Sequence, residues 1–393
     1  MGLKSFVDTD LENKKVLARF DFNVPIKNNI IKDSSRIDLA LPTIELLLEK
    51  NISKLVMMSR LGRPQGQVVP ELSLEPIAHY IAEKLGIEVY LSESATDSGI
   101  KTLLNLGHIK IIMLENLRFH PQETAGDNEF AKILSEYGDI YINDAFGVCH
   151  RKHSSVYQLP NLFSNQTTFA GPLIQKEISS LTKLIEKPSK PFICVLGGAK
   201  VKDKINTLEK LLIKADKLLI GGAMAYPFLK AKGINIGNSL CSNEDVSIAK
   251  NLLSRDKGSK IILPVDHIVA AEPNSKPKVQ KTQSIDDGQC GFDIGPETQK
   301  NYQEHLASAQ TIFWNGPMGL FETENFSQGT FFVAEVISKT NAFSVVGGGD
   351  SVSAINKSGF AQHISHVSTG GGASLEFIEK GSLPAIQILK YTH

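Results

Sequence analysis

Short apolar runs and amphipathic stretches alternate along this chain from one end to the other. The runs at 16–20, 54–58, 109–114 and 140–142, then 192–196, 218–220, 261–263, 311–314 and 343–346, are too short for helices and read as buried strands. Between them, residues 36–50, 73–85, 203–215, 243–254, 330–339 and 352–360 carry apolar positions at helical spacing. Ser242 with Asp245 has the spacing of a capping box at the start of one of these helices. Residues 272–284 read as a polar loop. Strand and helix in strict alternation predict βαβ units and mostly parallel sheets flanked by helices.

One helical stretch differs from the others. Ile174, Ile178, Leu181, Leu184 and Ile185 form a single apolar stripe, and Pro188 and Pro191 close it. At 393 residues and 41% hydrophobic content the chain is too long for one core, so two domains are expected. The stripe at 170–187 then predicts a helix joining a domain at 1–169 to one at 188–372.

Ligands of open parallel sheets bind beyond the carboxyl ends of the strands, so the residues that follow each run matter most. In the first half these are polar and basic: Asp21 and Asn23, Arg60 and Arg63, Arg118, then Asn143-Asp144 leading to His150-Arg151-Lys152-His153. Arg36 opens the helical stretch after the first run. Read singly, such arginines are solvated surface groups; five of them at strand ends suit a small, doubly anionic metabolite, because guanidinium binds phosphate and carboxylate bidentately. In the second half the strand ends are glycines: Gly197-Gly198-Ala199-Lys200, Gly221-Gly222-Ala223, Gly347-Gly348-Gly349-Asp350-Ser351 and Gly370-Gly371-Gly372. Such loops let phosphate approach backbone amides at a helix start. Asp350 reads either as a helix cap or as the ligand of a hard cation, and Lys200 as a cation placed in a first helical turn to meet an anion. Glu322 is a surface acid or an acceptor for a ribose hydroxyl.

Composition narrows the classes. Lys+Arg and Asp+Glu are 42 each, which argues against a nucleic-acid or membrane-surface binder. The four cysteines form no CxxC pair, so neither zinc site nor disulfide framework is indicated. The first residues lack an apolar signal region and no run approaches the length of a membrane span, which gives the expectation of a cytoplasmic protein. Neither GxxxxGK[ST] nor GxGxxG occurs, which disfavours a P-loop enzyme and a dinucleotide oxidoreductase. A non-catalytic nucleotide-dependent binder that kept the fold would be expected to lose Arg36, Lys200 or Asp350, and all three are present.

Taken together, the blocks Arg19–Pro25, Leu61–Pro64, Glu115–Phe119, Asn143–Gly147, His150–His153, Gly197–Val201 with Asp203–Ile205, Trp314–Gly319, Gly347–Asp350 and Ser368–Ser374 resemble the phosphoglycerate kinase family, in order and over essentially the whole chain. The resemblance implies two Rossmann-like domains across a hinged cleft, with a C-terminal tail (373–393) that returns to the first. It implies reversible phosphoryl transfer between 1,3-bisphosphoglycerate and MgADP, by a monomer acting on small molecules. By position, Asp21, Asn23, Arg63, Arg118 and Arg151 would hold phosphoglycerate. Arg36, Lys200 and the amides at Gly371 and Gly372 would meet the moving phosphoryl group. Gly198, Ala199, Lys204, Asn315, Pro317, Glu322 and the loop Gly347, Gly348, Gly349, Asp350 and Ser351 would take the nucleotide, with Asp350 on Mg²⁺. The family usually has histidine where this chain has Arg60, which is expected to contact phosphoglycerate in its place. Ala223 and the stretch Ala385-Ile386-Gln387 also depart from the family pattern.

Overall fold

The computed structural model describes residues 2–255 and 257–390. Contacts divide the chain into two compact units, Met1–Ile178 with Ser382–His393, and Ser179–Gly381.

In the first unit the apolar runs form a parallel six-stranded sheet: β1 (Lys15–Arg19), β2 (Lys54–Met58), β3 (Val89–Leu91), β4 (Ile111–Met113), β5 (Ile140–Asn143) and β6 (Thr168–Ala170), in the order β3-β4-β2-β1-β5-β6. Chain order reverses at β1, where Leu17 pairs with Val56 on one side and Tyr141 on the other. Loops after β1, β2 and β5 therefore leave the sheet side by side, at the kind of point where such sheets bind ligands. The stretch expected as one helix over 36–50 is two, α1 (Ser35–Asp38) and α2 (Leu41–Glu49). Pro42 lies in the first turn of α2, where it lacks an N–H to continue the preceding turn and crowds the residue before it. Helix α3 (Glu75–Leu85) starts two residues later than its pattern, because Glu115 accepts from Ser73 Oγ (2.7 Å) and Leu74 N–H (2.9 Å) and holds both outside the helix. Ile37, Ile44, Leu47, Ile77 and Ile81 bury the helical faces against Val16, Ala18, Leu55 and Met57.

The apolar stripe is helix α4 (Pro172–Glu186), with Ile174, Leu181 and Leu184 fully buried. The units divide inside this helix, between Ile178 and Ser179.

The second unit repeats the plan with β7 (Phe192–Leu196), β8 (Lys217–Ile220), β9 (Ile261–Ile262), β10 (Thr311–Asn315), β11 (Phe343–Val346) and β12 (His366–Val367), ordered β9-β8-β7-β10-β11-β12. Its helices include α5 (Ile205–Lys214), α6 (Asn243–Ser254), α7 (Gln328–Ser338), α8 (Gly349–Ser358) and α9 (Gly372–Lys380). Trp314 on β10 is fully buried and its indole N–H donates to Gly316 O at 2.9 Å. The 272–284 segment is not simply a loop: Lys278–Gln280 is an edge strand paired antiparallel with His267–Ala270, whose other side carries Cys290–Ile294. Three residues with Lys278 and Val279 exposed are too few to leave an alternation signal.

The C-terminal tail parts at Gly381. Residues 373–381 stay in the second unit, where α9 packs on α5 and Thr207 Oγ1 donates to Glu379 Oε1 at 2.7 Å. From Ser382 the chain belongs to the first unit; Lys4 N–H donates to Leu389 O (3.1 Å) and Ala385 N–H to Cys149 O (3.1 Å). Residues 391–393 of that expected tail lie outside the described residues.

Candidate active site

In the first unit two of the arginines, Arg36 and Arg60, pair with one carboxylate. Asp21 follows β1, and its side chain is 9% exposed. Its Oδ2 takes Arg36 Nη1 at 2.9 Å and Arg60 Nη2 at 3.1 Å, while Oδ1 lies 2.9 Å from Arg60 Nε. The structure thus brings Arg60 beside Arg36, and the guanidiniums around Asp21 hold its carboxyl below the usual carboxylate range against the opposing effect of burial. Asn23 accepts from Gly62 N–H at 2.8 Å and fixes the loop that carries Arg63, itself exposed. Asn116 is buried; it donates to Leu61 O (2.8 Å) and Leu72 O (2.9 Å) and accepts from Arg118 N–H (3.1 Å). That framework points Arg118, whose Nη1 donates to Gly62 O at 2.6 Å, into the same neighbourhood.

Positive charge there is poorly matched. Burial, then Arg60 and Arg19, lower Arg118 to about 10, and its buried Nε has no hydrogen-bond partner. Burial and the charges of Arg19, Arg118, Arg151 and Arg60 push His153 down to about 3, so its imidazole is neutral at neutral pH. Arg19 is fully buried, donates from Nε to Ser155 Oγ at 3.0 Å, and leaves one Nη2 without a hydrogen-bond partner. Ser155 Oγ in turn donates to Glu123 at 2.6 Å. Arginines that lower one another's proton affinity around so few acids are a candidate anion site. Arg151 is exposed at its edge. Sequence reasoning missed Arg19, Asn116 and His153 as members of this cluster. The His-Arg-Lys-His run was the available signal for His153; the other two act from the interior and leave no surface pattern.

In the second unit two kinds of glycine loop must be separated. Gly197, Gly221 and Gly222 are closed: a Cβ on Gly197 would lie 2.0 Å from Pro317 O, and one on Gly221 2.4 Å from Met318 Sδ. These glycines let loops pack on loops, so the stretch after β8 is framework and not an anion cradle. Gly198 N–H donates to Pro317 O (3.0 Å), and Pro317 is buried. The loops after β11 and β12 are open, since a Cβ on Gly349 or Gly371 would meet nothing within 4 Å. The cap of α8 is Gly348, at φ 93°, so Asp350 is not the N-cap; it stands exposed in the first helical turn, two residues on. Gly371 caps α9 in the same way, at φ 51°.

Asn315 and Ser351 tie these loops together. Asn315 Nδ2 donates to Gly347 O at 2.7 Å, and Ser351 Oγ accepts from Gly316 N–H at 2.5 Å, both inside the framework. Lys204 Nζ donates to Gly197 O at 2.7 Å. Lys200 is not in a first helical turn, since α5 begins at Ile205 after a 3-10 turn at Lys202–Lys204; it is exposed on the loop, next to Ala199. Glu322 is exposed after β10. Among the described residues no cluster of three or more His, Cys, Asp or Glu is placed to hold a metal ion.

Comparison with known proteins identifies the family. The family model described as phosphoglycerate kinase matches residues 6–381. The phosphoglycerate kinase of Finegoldia magna is 46% identical over 99% of both chains, and that of Leptospira biflexa 45% identical over 99% of this chain and 98% of the relative. Among solved structures, the phosphoglycerate kinase of Coxiella burnetii superposes at TM-score 0.87 with 39% identity, and that of Pyrococcus horikoshii at 0.87 with 31%, each covering 98% of both chains. With likeness of this extent in both sequence and structure, the chain belongs to the phosphoglycerate kinase family and is a phosphotransferase.

Proposed function

We propose that the arginine cluster on Asp21 seats phosphoglycerate and that the open glycine loops of the second unit seat the nucleotide. The reaction, that of the family, is reversible transfer of a phosphoryl group from 1,3-bisphosphoglycerate to ADP, giving 3-phosphoglycerate and ATP. The observation that carries the assignment of the first seat is the crowding of Arg19, Arg60 and Arg118 around two acids, Asp21 and Glu123, which lowers Arg118 and His153 together. A dianionic ligand relieves that crowding.

The chemistry asks for positioning and charge stabilisation more than for proton transfer, because an acyl phosphate and a carboxylate exchange without a proton. Arg36, about one third exposed and oriented by Asp21, is the donor for the transferring group from the first unit. Lys200 and the amides at Gly371 and Gly372 serve it from the second. Gly198, Ala199, Lys204, Asn315, Pro317, Glu322 and the Gly347–Ser351 loop form the nucleotide seat, with Asn315, Pro317 and Ser351 acting through the loop backbone they hold. The two seats belong to separate units, so transfer requires the units to come together and exclude water from the acyl phosphate.

Asp350 fits Mg²⁺: one exposed carboxylate beside open backbone amides matches a cation held mainly by substrate phosphates and water. Bound there, Mg²⁺ would neutralise charge on the nucleotide phosphates. One chain carries both sets of residues, so the proposal is a monomer, and we place it in the cytoplasm. No helix of the described residues is long and apolar enough to cross a membrane. The test of the first seat is a coupled assay of 3-phosphoglycerate-dependent ATP consumption in wild type and R36A. Loss of one donor to the transferring group lowers kcat by about 10²–10³ with a smaller change in KM; a near-normal kcat removes Arg36 from the role.

A further inference from the structure

The capping box at Ser242 and Asp245 has a second connection that a helix cap does not need. Ser242 is the N-cap of α6, its Oγ accepting from Asp245 N–H at 3.1 Å and donating to Asp245 Oδ2 at 2.6 Å. The acid of a capping box is usually Glu or Gln, long enough to return to the cap's own backbone. Aspartate is one methylene shorter and closes on the hydroxyl instead. Its other oxygen, Oδ1, leaves the helix and accepts from Lys202 N–H at 2.9 Å. Lys202 opens the 3-10 turn between Lys200 and α5. Glu244, next in the same helix, pairs with Lys202 Nζ at 2.9 Å, but both partners are 59% exposed and the pair adds little. Asp245 is 8% exposed, and a hydrogen bond from N–H to a carboxylate at that depth is a strong one.

This bond matters because of what lies upstream. The loop after β7 is anchored at Gly198, which donates to Pro317 O at 3.0 Å and accepts from Met224 N–H at 2.8 Å. Its next anchor is Lys202 on Asp245, with Val201 buried beside it. Ala199 and Lys200 are exposed and span the gap between the two anchors. We propose that Asp245 is a positioning residue for phosphoryl transfer: by fixing the downstream end of this loop it sets the direction of Lys200. The inference rests on the reading of Lys200 as a donor to the transferring group.

The experiment compares kcat, KM and thermal midpoint for D245A, D245N and S242A, each also combined with K200A. D245A should lose about tenfold in kcat, of the order that a small misplacement of a catalytic group costs, with KM for 3-phosphoglycerate unchanged. D245N keeps an acceptor for Lys202 and should recover to within about threefold of wild type. S242A removes the cap but leaves the Lys202 bond, so the midpoint falls while kcat stays within about twofold. In the K200A background D245A should cost less than about twofold, since the group it orients is gone. If D245A does not fold, D245S, too short to reach Lys202, takes its place. A kcat loss in S242A equal to that in D245A, or a loss from D245A that multiplies undiminished onto K200A, overturns the inference. A near-normal kcat in K200A alone instead overturns the reading of Lys200.

Discussion

Replacing Asp21 by Asn leaves the shape of the first seat intact and removes the one charge that both Arg36 and Arg60 face. Two unit charges at ~4 Å and an effective dielectric near 20 attract by about 4 kcal/mol before desolvation. Arg36 is about one third exposed, so its pair is closer to a surface pair and worth about 1 kcal/mol. Arg60 is 13% exposed and Asp21 9%, so that pair keeps more, roughly 2 kcal/mol after desolvation. D21N should therefore lose about 3 kcal/mol of unfolding free energy, measured by urea denaturation of the ligand-free protein. Anion binding moves the other way: the cluster loses a negative charge, so KM for 3-phosphoglycerate should hold or fall. Turnover should drop by about 10², because Arg36 no longer has the partner that aims it. A steady-state assay separates the cases. A tenfold rise in KM with unchanged kcat would mean that Asp21 contacts the ligand and does not orient the arginines.

Three further outcomes follow from the site and its surroundings. Asp293, buried against Gly319 and Gly329, is pushed up to about 8 by burial, which outweighs the hydrogen bonds from Gly329 N–H (2.7 Å) and Ile294 N–H (2.9 Å). Its ionised form is disfavoured in the fold, so its contribution is full below the unfolded carboxylate range near pH 4 and is lost as pH rises toward 8. The stability of D293N relative to wild type should grow by about 1.4 kcal/mol per pH unit across that window, in denaturation series at fixed salt; a constant difference would refute it. Asp144, raised to about 6, titrates with the same sign in both proteins and cancels in the comparison. D350N should keep its helix, because Gly348 is the cap, and should need a higher free Mg²⁺ concentration for half-maximal turnover; an unchanged Mg²⁺ curve would remove Asp350 from the metal. In R60H the KM for 3-phosphoglycerate should rise more steeply between pH 6 and 8 than in wild type, as the new imidazole loses its charge; only the difference counts, because the ligand's phosphate and the nearby His150 are common to both, and superimposed profiles would take Arg60 out of the seat.

The alternation of runs made nine of the twelve described strands of the two parallel sheets legible, each a short apolar segment with a polar or glycine exit; Val89–Leu91, Thr168–Ala170 and His366–Val367, at two or three residues, are too short to stand out as runs. What composition of the exits could not reveal is which glycines serve a ligand and which serve packing. Gly221 and Gly347 look alike in the chain, yet a Cβ on the first would meet Met318 and on the second would find only ordinary contacts with Phe313 and Ser374. The start of α8 shifted from 352 to 349 because a glycine at positive φ caps it, a choice no side-chain pattern announces. Lys200 fell outside the helix because a 3-10 turn precedes α5, and the anchor of that turn's Lys202, Asp245, is 43 residues further along the chain. The basic cluster was legible in the arginines that follow the strand ends and illegible in Arg19, which lies inside its strand, and in Asn116, both fully buried by the tertiary fold.

The division of ligands between the units is tested most directly by amide hydrogen exchange of the full chain with each ligand alone. With 3-phosphoglycerate, protection should rise in residues 19–25, 60–66, 116–124 and 150–155 and not in the second unit's loops. With MgADP it should rise in 197–205, 315–322 and 347–352 and leave the arginine cluster unchanged. Protection of the 60–66 and 116–124 segments by MgADP alone, or of 347–352 by 3-phosphoglycerate alone, would contradict the assignment of the two seats.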